Sequence, residues 1–362
     1  MKVLGPTEAD FGVVIAAAPQ HLHWVKGACS SVHHFMDETP ICVLLDGDAD
    51  TSDIETTCGA LVIRRAEVEH PELRELSFGS LRAKLTALWL SPFETYLLID
   101  ADAVVWGDMR QHADFDRVDF VLDRPMGGPD SVRRGIMDVD AAVRRWVMDV
   151  DAVGRQFPDF DARRHVADFV NTGTYFARRG VFDLDDYLEL VSFAQANPGA
   201  FYGDQGLLNF MVFSAADEGR LRLDQRELQV TTGNTTREEV MRRFAFVDSQ
   251  PSVAGEPVVL HWAGSPKPRV RERGRDYFKP MTYFRREFRR AARGGVGPTT
   301  ADELRLRLED MMCADWRGSN VRGRLGRLRR RSHQRYQRAK VAVRKRTPDW
   351  VVGTLRRRTR SE

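Results

Sequence analysis

Short apolar runs alternate with segments of helical periodicity through the first 120 residues. The runs have strand length and contain few polar positions, which is typical of parallel strands buried on both faces. This order predicts an α/β fold in which a mostly parallel sheet is flanked by helices and ligands bind beyond the carboxyl ends of the strands. The predicted strands are residues 11–18, 41–45, 61–63 and 96–99, and the predicted helices are residues 21–34 and 81–90.

The rest of the chain continues the alternation less regularly. A loop that contains glycine and proline is predicted at residues 123–135, and after residue 269 the chain becomes Arg-rich and helical in character, with a hinge at residues 294–298. No repeat indicates a solenoid or propeller. Further strands are predicted at residues 118–122, 172–177, 245–247 and 258–262, and further helices at residues 138–157, 183–195 and 204–213.

Asp100 and Asp102 directly follow the apolar run at residues 96–99. Positions i and i+2 of a strand point to one side, so both carboxylates can leave the sheet edge together and bind one divalent cation. The spacing itself is common, because the chain contains eight Asp-x-Asp pairs, but only this pair follows a buried-strand pattern. The alternative is a helix-capping Asp beside a turn Asp, since carboxylates often lie where strands end and helices begin.

Charge is distributed unevenly along the 362 residues. The formal net charge is +3, but residues 320–362 contain 16 Lys and Arg residues against two acidic ones, so this basic tail carries +14 and the rest of the chain −11. Such asymmetry predicts a basic tail on an acidic globular body.

Cysteine usage and hydropathy bear on the compartment. The four cysteines show neither CxxC nor Cys/His ligand spacing, which favours reduced structural thiols. No apolar stretch reaches the ~18 residues that suggest a transmembrane helix, and no charged-then-apolar leader is present. We therefore expect a cytoplasmic protein, peripheral at the inner face of the membrane if the basic tail binds lipid.

Four segments follow one another in the order and rough spacing of a known enzyme family. They are YLLIDADAVVWGD at residues 96–108, VNTGTYF at 170–176, GDQGLLN at 203–209 and HWAGSPKP at 261–268. Over residues 11–270 the chain resembles the family 8 glycosyltransferases. The resemblance implies a GT-A fold, a nucleotide diphosphate sugar as donor, Mn²⁺ (or Mg²⁺) as cofactor, and transfer with retention of anomeric configuration. The expected domains are a GT-A domain at 1–270, a helical extension at 271–319 and the basic tail at 320–362.

A third metal ligand is expected from His261, which follows the apolar residues 258–260. A diphosphate leaving group needs its developing charge neutralised, and a cation held by Asp100, Asp102 and His261 would do so as a Lewis acid. The imidazole shifts the expectation from Mg²⁺ toward Mn²⁺, because Mg²⁺ prefers oxygen ligands. A histidine at a strand end is also a common structural residue, which is the alternative here.

Donor contacts are implied by the resemblance at Lys84, Asn171, Gly173, Gly264 and Lys267. The lysines can meet phosphate oxygens as point charges, and Gly264 permits close backbone approach. Asn171 can hydrogen-bond sugar hydroxyls, and Gly173 leaves room for a sugar ring. Lys84 and Asn171 also have ordinary structural explanations, since a helix-face lysine is commonly solvated and Asn before Thr-Gly is normal turn chemistry.

The expected base of the donor is uracil, although the chain departs from the family pattern at one position. Family members usually carry an Asp shortly after the first strand that hydrogen-bonds the uracil edge, but residues 16–21 read AAAPQH. Ala16 and Trp24 are the contacts expected there, Trp24 by stacking on the base. Ala101, between the two aspartates, completes the predicted donor site.

Asp204 and Gln205 begin a predicted helix. In the family the matching acid and amide face the transferring sugar. The resemblance therefore assigns Asp204 to sugar binding or to stabilising oxocarbenium charge, and Gln205 to positioning near the anomeric carbon. A carboxylate in the first turn of a helix is favourable to the helix dipole whatever its function, so capping alone is the alternative for Asp204.

Two other functions remain open from the sequence. Residues 97–104 also resemble the first motif of haloacid-dehalogenase-type phosphohydrolases, with Asp100 as nucleophile and Asp102 as acid/base. That motif normally lies on the first strand of its domain, and the other three segments would have no role in it. The basic tail could instead bind nucleic acid, but it lacks a base-reading motif and the acidic body would repel a phosphate backbone.

The basic tail interleaves arginine clusters with Leu, Val, Tyr and Trp, which suits segments lying on anionic lipid. Each basic residue near such a surface adds on the order of 1 kcal/mol, so partial engagement would hold the enzyme near a glycan or lipid-linked acceptor. We predict that the full-length chain sediments with anionic vesicles at low salt and is released at high salt, whereas a chain ending at Ser319 stays in solution. Equal binding by both chains would contradict this prediction.

Overall fold

The computed structural model describes residues 9–125, 143–144, 146–232, 235–263, 279–297, 299–306 and 308. The chain divides into two units, Met1–Leu306 and Arg307–Glu362, and the β-sheets with their covering helices belong to the first. The basic tail and the predicted contacts Gly264 and Lys267 lie outside the described residues. Among the residues that are described, no helix combines the length and the apolar character needed to cross a membrane.

In the described part of the chain, seven strands form the main sheet. They are β1 (Phe11–Ala17), β2 (Ile41–Leu45), β3 (Leu61–Arg64), β4 (Thr95–Asp100), β6 (Phe120–Asp123), β7 (Thr174–Arg178) and β8 (Leu223–Arg226). Their order across the sheet is β3-β2-β1-β4-β7-β6-β8, and only β7 runs antiparallel to its neighbours. The predicted α/β architecture with a mostly parallel sheet is therefore confirmed.

A smaller sheet begins directly after Asp102. It contains β5 (Ala103–Trp106), β12 (Val258–His261) and β9 (Gln229–Thr231) in that order, and β10 (Phe244–Val247) pairs separately with β11 (Gln250–Val253). β12 runs antiparallel to β5 and parallel to β9. The sequence pattern did not predict β5, β8, β9 or β11, which are only three or four residues long.

Helices cover both faces of the main sheet. The predicted helix at residues 81–90 is in fact a 3₁₀ segment, Leu81–Thr86, followed by one α-helical turn. Because residues 126–142 lie outside the described part, the loop at 123–135 and the first part of the helix at 138–157 stay predictions. The α-helices are α1 (Leu22–Met36), α2 (Ser52–Cys58), α3 (Pro71–Ser77), α4 (Ala87–Leu90), α5 (Val150–Gln156), α6 (Leu184–Ala196), α7 (Gly203–Asp217), α8 (Arg237–Arg243) and α9 (Lys279–Ala291), and further 3₁₀ segments are Pro19–His21, Arg65–Glu67 and Met109–His112.

The core lies on both faces of the sheet because side chains alternate along each strand. Val13 and Ile15 of β1 belong to the cluster that includes α1 and α9, whereas Val14 belongs to the cluster that includes α6 and α7. Helix α9 packs closely on α1, since a Cβ added at Gly27 would lie 2.3 Å from the Met281 sulfur. The domain boundaries at residues 270 and 319 stay predictions.

Asp123, the last residue of β6, connects the main sheet to the segment that enters β9. Its buried carboxyl accepts hydrogen bonds from the backbone N–H groups of Leu228 at 3.0 Å and Gln229 at 3.2 Å. Burial raises the pKa of Asp123 to about 7, although these N–H groups and the Gln229 side chain partly oppose the rise. The folded protein therefore binds a proton here more strongly than the unfolded chain.

Asp123→Asn should change how stability depends on pH. A carboxyl whose pKa is raised on folding contributes stability that is fully present below its unfolded pKa of about 3.9 and is lost as pH rises through its folded pKa. An asparagine keeps an oxygen for both N–H groups and does not ionise. The free energy of unfolding of the variant, relative to that of wild type, should therefore increase as the pH rises from about 4 to 7, by at most about 1.4 kcal/mol per pH unit. Urea unfolding measures this, and a pH-independent difference would contradict the assignment.

Candidate active site

Asp100, Asp102 and His261 converge where β4 and β12 end. The antiparallel register places His261 opposite Ala103, and the Trp262 N–H donates to the Asp102 carbonyl at 3.0 Å. The His261 Nε2 atom lies 3.4 Å from an Asp100 oxygen and 3.5 Å from an Asp102 oxygen. One donor atom from each of the three lies within 4.8 Å of the others, so two carboxylates and an imidazole could hold one divalent cation such as Mn²⁺.

Gly173 lies against the His261 ring. Its carbonyl accepts from the Asp100 N–H at 2.9 Å, which joins β4 to the turn before β7. A Cβ at this position would lie only 2.2 Å from His261 Cε1 and 2.5 Å from Nδ1. The glycine therefore leaves room for the imidazole, whereas the sequence had suggested room for a sugar ring.

Lys84 connects Asp100 to the helix that carries Asp204. Its ammonium lies 3.1 Å from an Asp100 oxygen and 2.7 Å from an Asp204 oxygen, and its side chain is 12% exposed. Burial would lower the pKa of Lys84, but the two carboxylates raise it above its ordinary value. Burial raises the pKa of Asp100, and Lys84 and His261 oppose that rise. Lys84 is thus a charged partner in the site, not a solvated lysine.

Asp204 lies in the first turn of α7 but its carboxylate points to the site. It accepts a hydrogen bond from the Thr172 hydroxyl at 2.8 Å in addition to its ion pair with Lys84. Tyr202 occupies the N-cap position of this helix, without a side-chain cap. Capping alone therefore does not account for this buried carboxylate.

Gln205 joins the same site through amide groups. The Asn171 side-chain NH₂ donates to Gln205 Oε1 at 3.1 Å, and Asn171 Oδ1 accepts from the Gly173 N–H at 2.9 Å. Gln229, which sequence reasoning missed, donates to the Asn171 carbonyl at 3.1 Å and contacts His261 Nδ1 at 2.8 Å. A glutamine between Leu228 and Val230 was the available signal, because a polar side chain in an apolar strand segment needs buried partners.

The remaining predicted contacts occupy less informative positions. Ala16 pairs in register with Asp100, and Ala101 is buried between the two aspartates. Trp24 is 2% exposed, with its ring centroid 6.4 Å from that of Trp262. A ring so covered offers little surface to a base, and the roles of these residues, like those of Gly264 and Lys267, stay predictions.

Comparisons with known proteins identify the fold. No family model and no curated protein matches the sequence. Among solved structures, the bifunctional glycosyltransferase WbbM matches with a TM-score of 0.50 and 13% identity, over 80% of this chain and 53% of that one. The galactosyltransferase LgtC, in complex with donor and acceptor sugar analogs, matches with a TM-score of 0.45 and 14% identity over 81% of this chain and 99% of that one. Glucosyl-3-phosphoglycerate synthase from Mycobacterium tuberculosis, in complex with Mn²⁺, UDP and phosphoglyceric acid, matches with a TM-score of 0.35 and 16% identity. The match covers 60% of this chain and 68% of that one.

The chain has a glycosyltransferase fold. The likeness to WbbM confirms the GT-A architecture that the sequence predicted. This chain spans about half of the WbbM chain, and the identity is low, so the likeness concerns the fold.

Gly173→Ala should weaken metal binding while leaving the fold intact. The added methyl group would displace the His261 ring, and disturbing a residue that orients a ligand typically lowers metal affinity by about tenfold or more. Titration of Mn²⁺ followed by calorimetry measures the affinity, and thermal unfolding checks the fold.

Gly154→Ala is the matched control. A Cβ at Gly154, within α5, would meet no atom within 4 Å, and alanine in a helix is more stable than glycine by about 0.5–1 kcal/mol. This variant should bind Mn²⁺ as wild type does. Equal Mn²⁺ affinity in both variants would contradict the role assigned to Gly173.

Proposed function

We propose that this chain is a metal-dependent glycosyltransferase. It transfers a hexose-type sugar from a nucleotide diphosphate donor, a UDP-sugar, to a glycan or lipid-linked acceptor with retention of configuration. The observation that carries the proposal is the double ion pair of Lys84. This lysine pairs with Asp100, a predicted metal ligand, and with Asp204, a residue of the predicted sugar site. The fold shared with WbbM, a glycosyltransferase, supports the same activity.

Asp100, Asp102 and His261 would hold Mn²⁺ or Mg²⁺ at the carboxyl end of β4. When bound there, the cation supplies Lewis-acid neutralisation of charge on the diphosphate leaving group. Lys84 adds a positive charge beside Asp100, in a position suited to a donor phosphate. The residues thus provide fixed positive charge where the leaving group becomes negative.

Asp204 and Gln205 serve the other half of the reaction. The anomeric carbon becomes positively charged as its bond to the diphosphate breaks, and a fixed carboxylate lowers the energy of that charge. Thr172 and Lys84 hold the Asp204 carboxylate, and Asn171 holds the Gln205 amide. The helix start therefore presents both side chains in a defined orientation.

The phosphohydrolase alternative explains less of the site. It assigns roles to Asp100 and Asp102 but leaves His261, Asn171 and Asp204 without a function. His261 lies 3.4 Å from an Asp100 oxygen. Asp204 is connected to Asp100 through Lys84, and Asn171 is connected to it through Gly173. No observation on the described residues favours nucleic acid as a partner. A cytoplasmic enzyme held at anionic lipid by its basic tail is part of the proposal.

A matched set of variants tests the proposal, read out as Mn²⁺-dependent hydrolysis of UDP-, GDP- and dTDP-sugars. Asp102→Asn removes one charge from the cation site with little change in shape, so it should lose Mn²⁺ affinity and turnover together. Asp204→Asn should leave nucleotide affinity nearly intact but lower kcat by roughly 10²-fold, because its contact strengthens as charge develops.

Asp183→Asn is the control for a capping carboxylate. Asp183 accepts from the N–H groups of Asp185 and Asp186 at the start of α6, so an amide there should change stability by less than about 1 kcal/mol and leave kcat unchanged. Wild-type activity that persists in EDTA, or an Asp204→Asn variant with normal kcat, would contradict the proposed function.

A further inference from the structure

Gln229 is the first residue of β9 and is almost fully buried beside His261. Its Oε1 atom lies 2.8 Å from His261 Nδ1, and its Nε2 atom lies 3.1 Å from the Asn171 carbonyl oxygen and 3.2 Å from Asn171 Oδ1. The backbone N–H of the same residue donates to the Asp123 carboxyl at 3.2 Å. The side chain thus has acceptors at one end and the imidazole at the other.

Backbone groups determine the direction of these hydrogen bonds. A carbonyl oxygen can only accept, so the amide end that faces the Asn171 carbonyl must be the NH₂ group of Gln229. The oxygen of the same amide then faces His261, and an oxygen cannot donate. His261 Nδ1 must therefore carry a hydrogen, and in the neutral ring Nε2 carries the lone pair. Nε2 is the atom that faces Asp100 and Asp102.

We propose that Gln229 is a positioning residue that fixes the Nδ1–H tautomer and the orientation of His261 for metal binding. The inference rests on the proposed function only in taking His261 as a metal ligand. A ligating histidine needs its second ring nitrogen held by an acceptor, because the metal can bind only the unprotonated nitrogen. Gln229 supplies that acceptor.

The same reasoning orients the Asn171 amide, which contacts Gln205 of the predicted sugar site. Asn171 Oδ1 accepts from the Gly173 N–H at 2.9 Å, and a backbone N–H can only donate. The other end of the Asn171 amide is therefore the NH₂ group, which donates to Gln205 Oε1 at 3.1 Å. Gln229 and Asn171 thus form one hydrogen-bonded connection from the metal ligand His261 to Gln205.

Gln229→Leu tests the inference, because it removes the hydrogen bonds to His261 and Asn171 with little change in side-chain volume. Without its acceptor, Nδ1 should lose its hydrogen in favour of Nε2, where Asp100 and Asp102 can accept it. In ¹⁵N NMR of the metal-free protein, His261 Nδ1 should be protonated in wild type and unprotonated in the variant; loss of the signals in His261→Gln assigns them. Mn²⁺ affinity of Gln229→Leu should fall by about 10–100-fold.

Gln229→Glu should rescue the effect. A glutamate keeps an oxygen facing Nδ1 in either protonation state, so Nδ1 should stay protonated and Mn²⁺ should bind more tightly than to Gln229→Leu. Gln225→Leu is the matched control, since Gln225 donates to the Asp168 carbonyl at 3.0 Å on β8 and should affect neither measurement.

The outcomes separate this inference from the proposed function. An unprotonated Nδ1 in wild type, or an Mn²⁺ affinity of Gln229→Leu equal to that of wild type, would overturn the role of Gln229. Absence of sugar transfer by wild type would overturn the proposed function instead, while the NMR spectra still decide on Gln229. If Gln229→Leu fails to fold, the spectrum of Gln229→Glu and that of wild type carry the test.

Discussion

The repulsion among three carboxylates in one partly buried site is the constraint on which the arrangement depends. Asp100, Asp102 and Asp204 come from β4, the turn after it and helix α7, and like charges brought together out of water are unfavourable unless a cation compensates them. Lys84 supplies that compensation, at 3.1 Å from Asp100 and 2.7 Å from Asp204. It can reach both because the tight 3₁₀ segment that carries it packs against the start of α7.

The site also lies where the two sheets join, and the hydrogen bonds that join them are those that orient its ligands. The chain enters the smaller sheet through Asp102, whose carbonyl accepts from Trp262, and Asp123 at the end of β6 accepts from the backbone of Gln229. His261 therefore cannot shift relative to Asp102 without disturbing the pairing of β5 with β12. The precision of the ligand geometry follows from sheet pairing rather than from the loops around it.

The sequence predicted the parts of this site that depend on local pattern. Asp100 and Asp102 were singled out because the apolar run at residues 96–99 precedes them, and His261 because a second apolar run, residues 258–260, precedes it. Gln229 was missed because β9 has only three residues and is defined by its long-range pairing with β12, which leaves no periodic signal. Gly173 was singled out from the sequence, but its contact with His261 was not predicted, since only the folded chain brings the two residues together.

The helix predicted at residues 81–90 shows the same limit. Its apolar spacing suggested one continuous α-helix, but the structure has a 3₁₀ segment that begins after a capping Ser80 and then a single α-helical turn. The local pattern predicted helical structure here. Tertiary packing against α7 determined that this structure is the tighter 3₁₀ helix rather than an α-helix, and hence the direction of the Lys84 side chain. The sequence could therefore predict that Lys84 contributes a positive charge to the site, but not that it pairs with Asp204 of α7.

Charge balance explains why a lysine belongs to a site for a cation. Three carboxylates and one ammonium, with His261 neutral, leave a formal charge of −2 in the described site. Because Lys84 pairs with Asp204 at the shorter distance, Asp100 and Asp102 keep the charge that remains. A monovalent cation would leave half of that charge uncompensated in a partly buried site, where an unpaired charge is most unfavourable. The residue composition itself therefore favours a divalent cation, and the imidazole among the ligands favours Mn²⁺ over Mg²⁺.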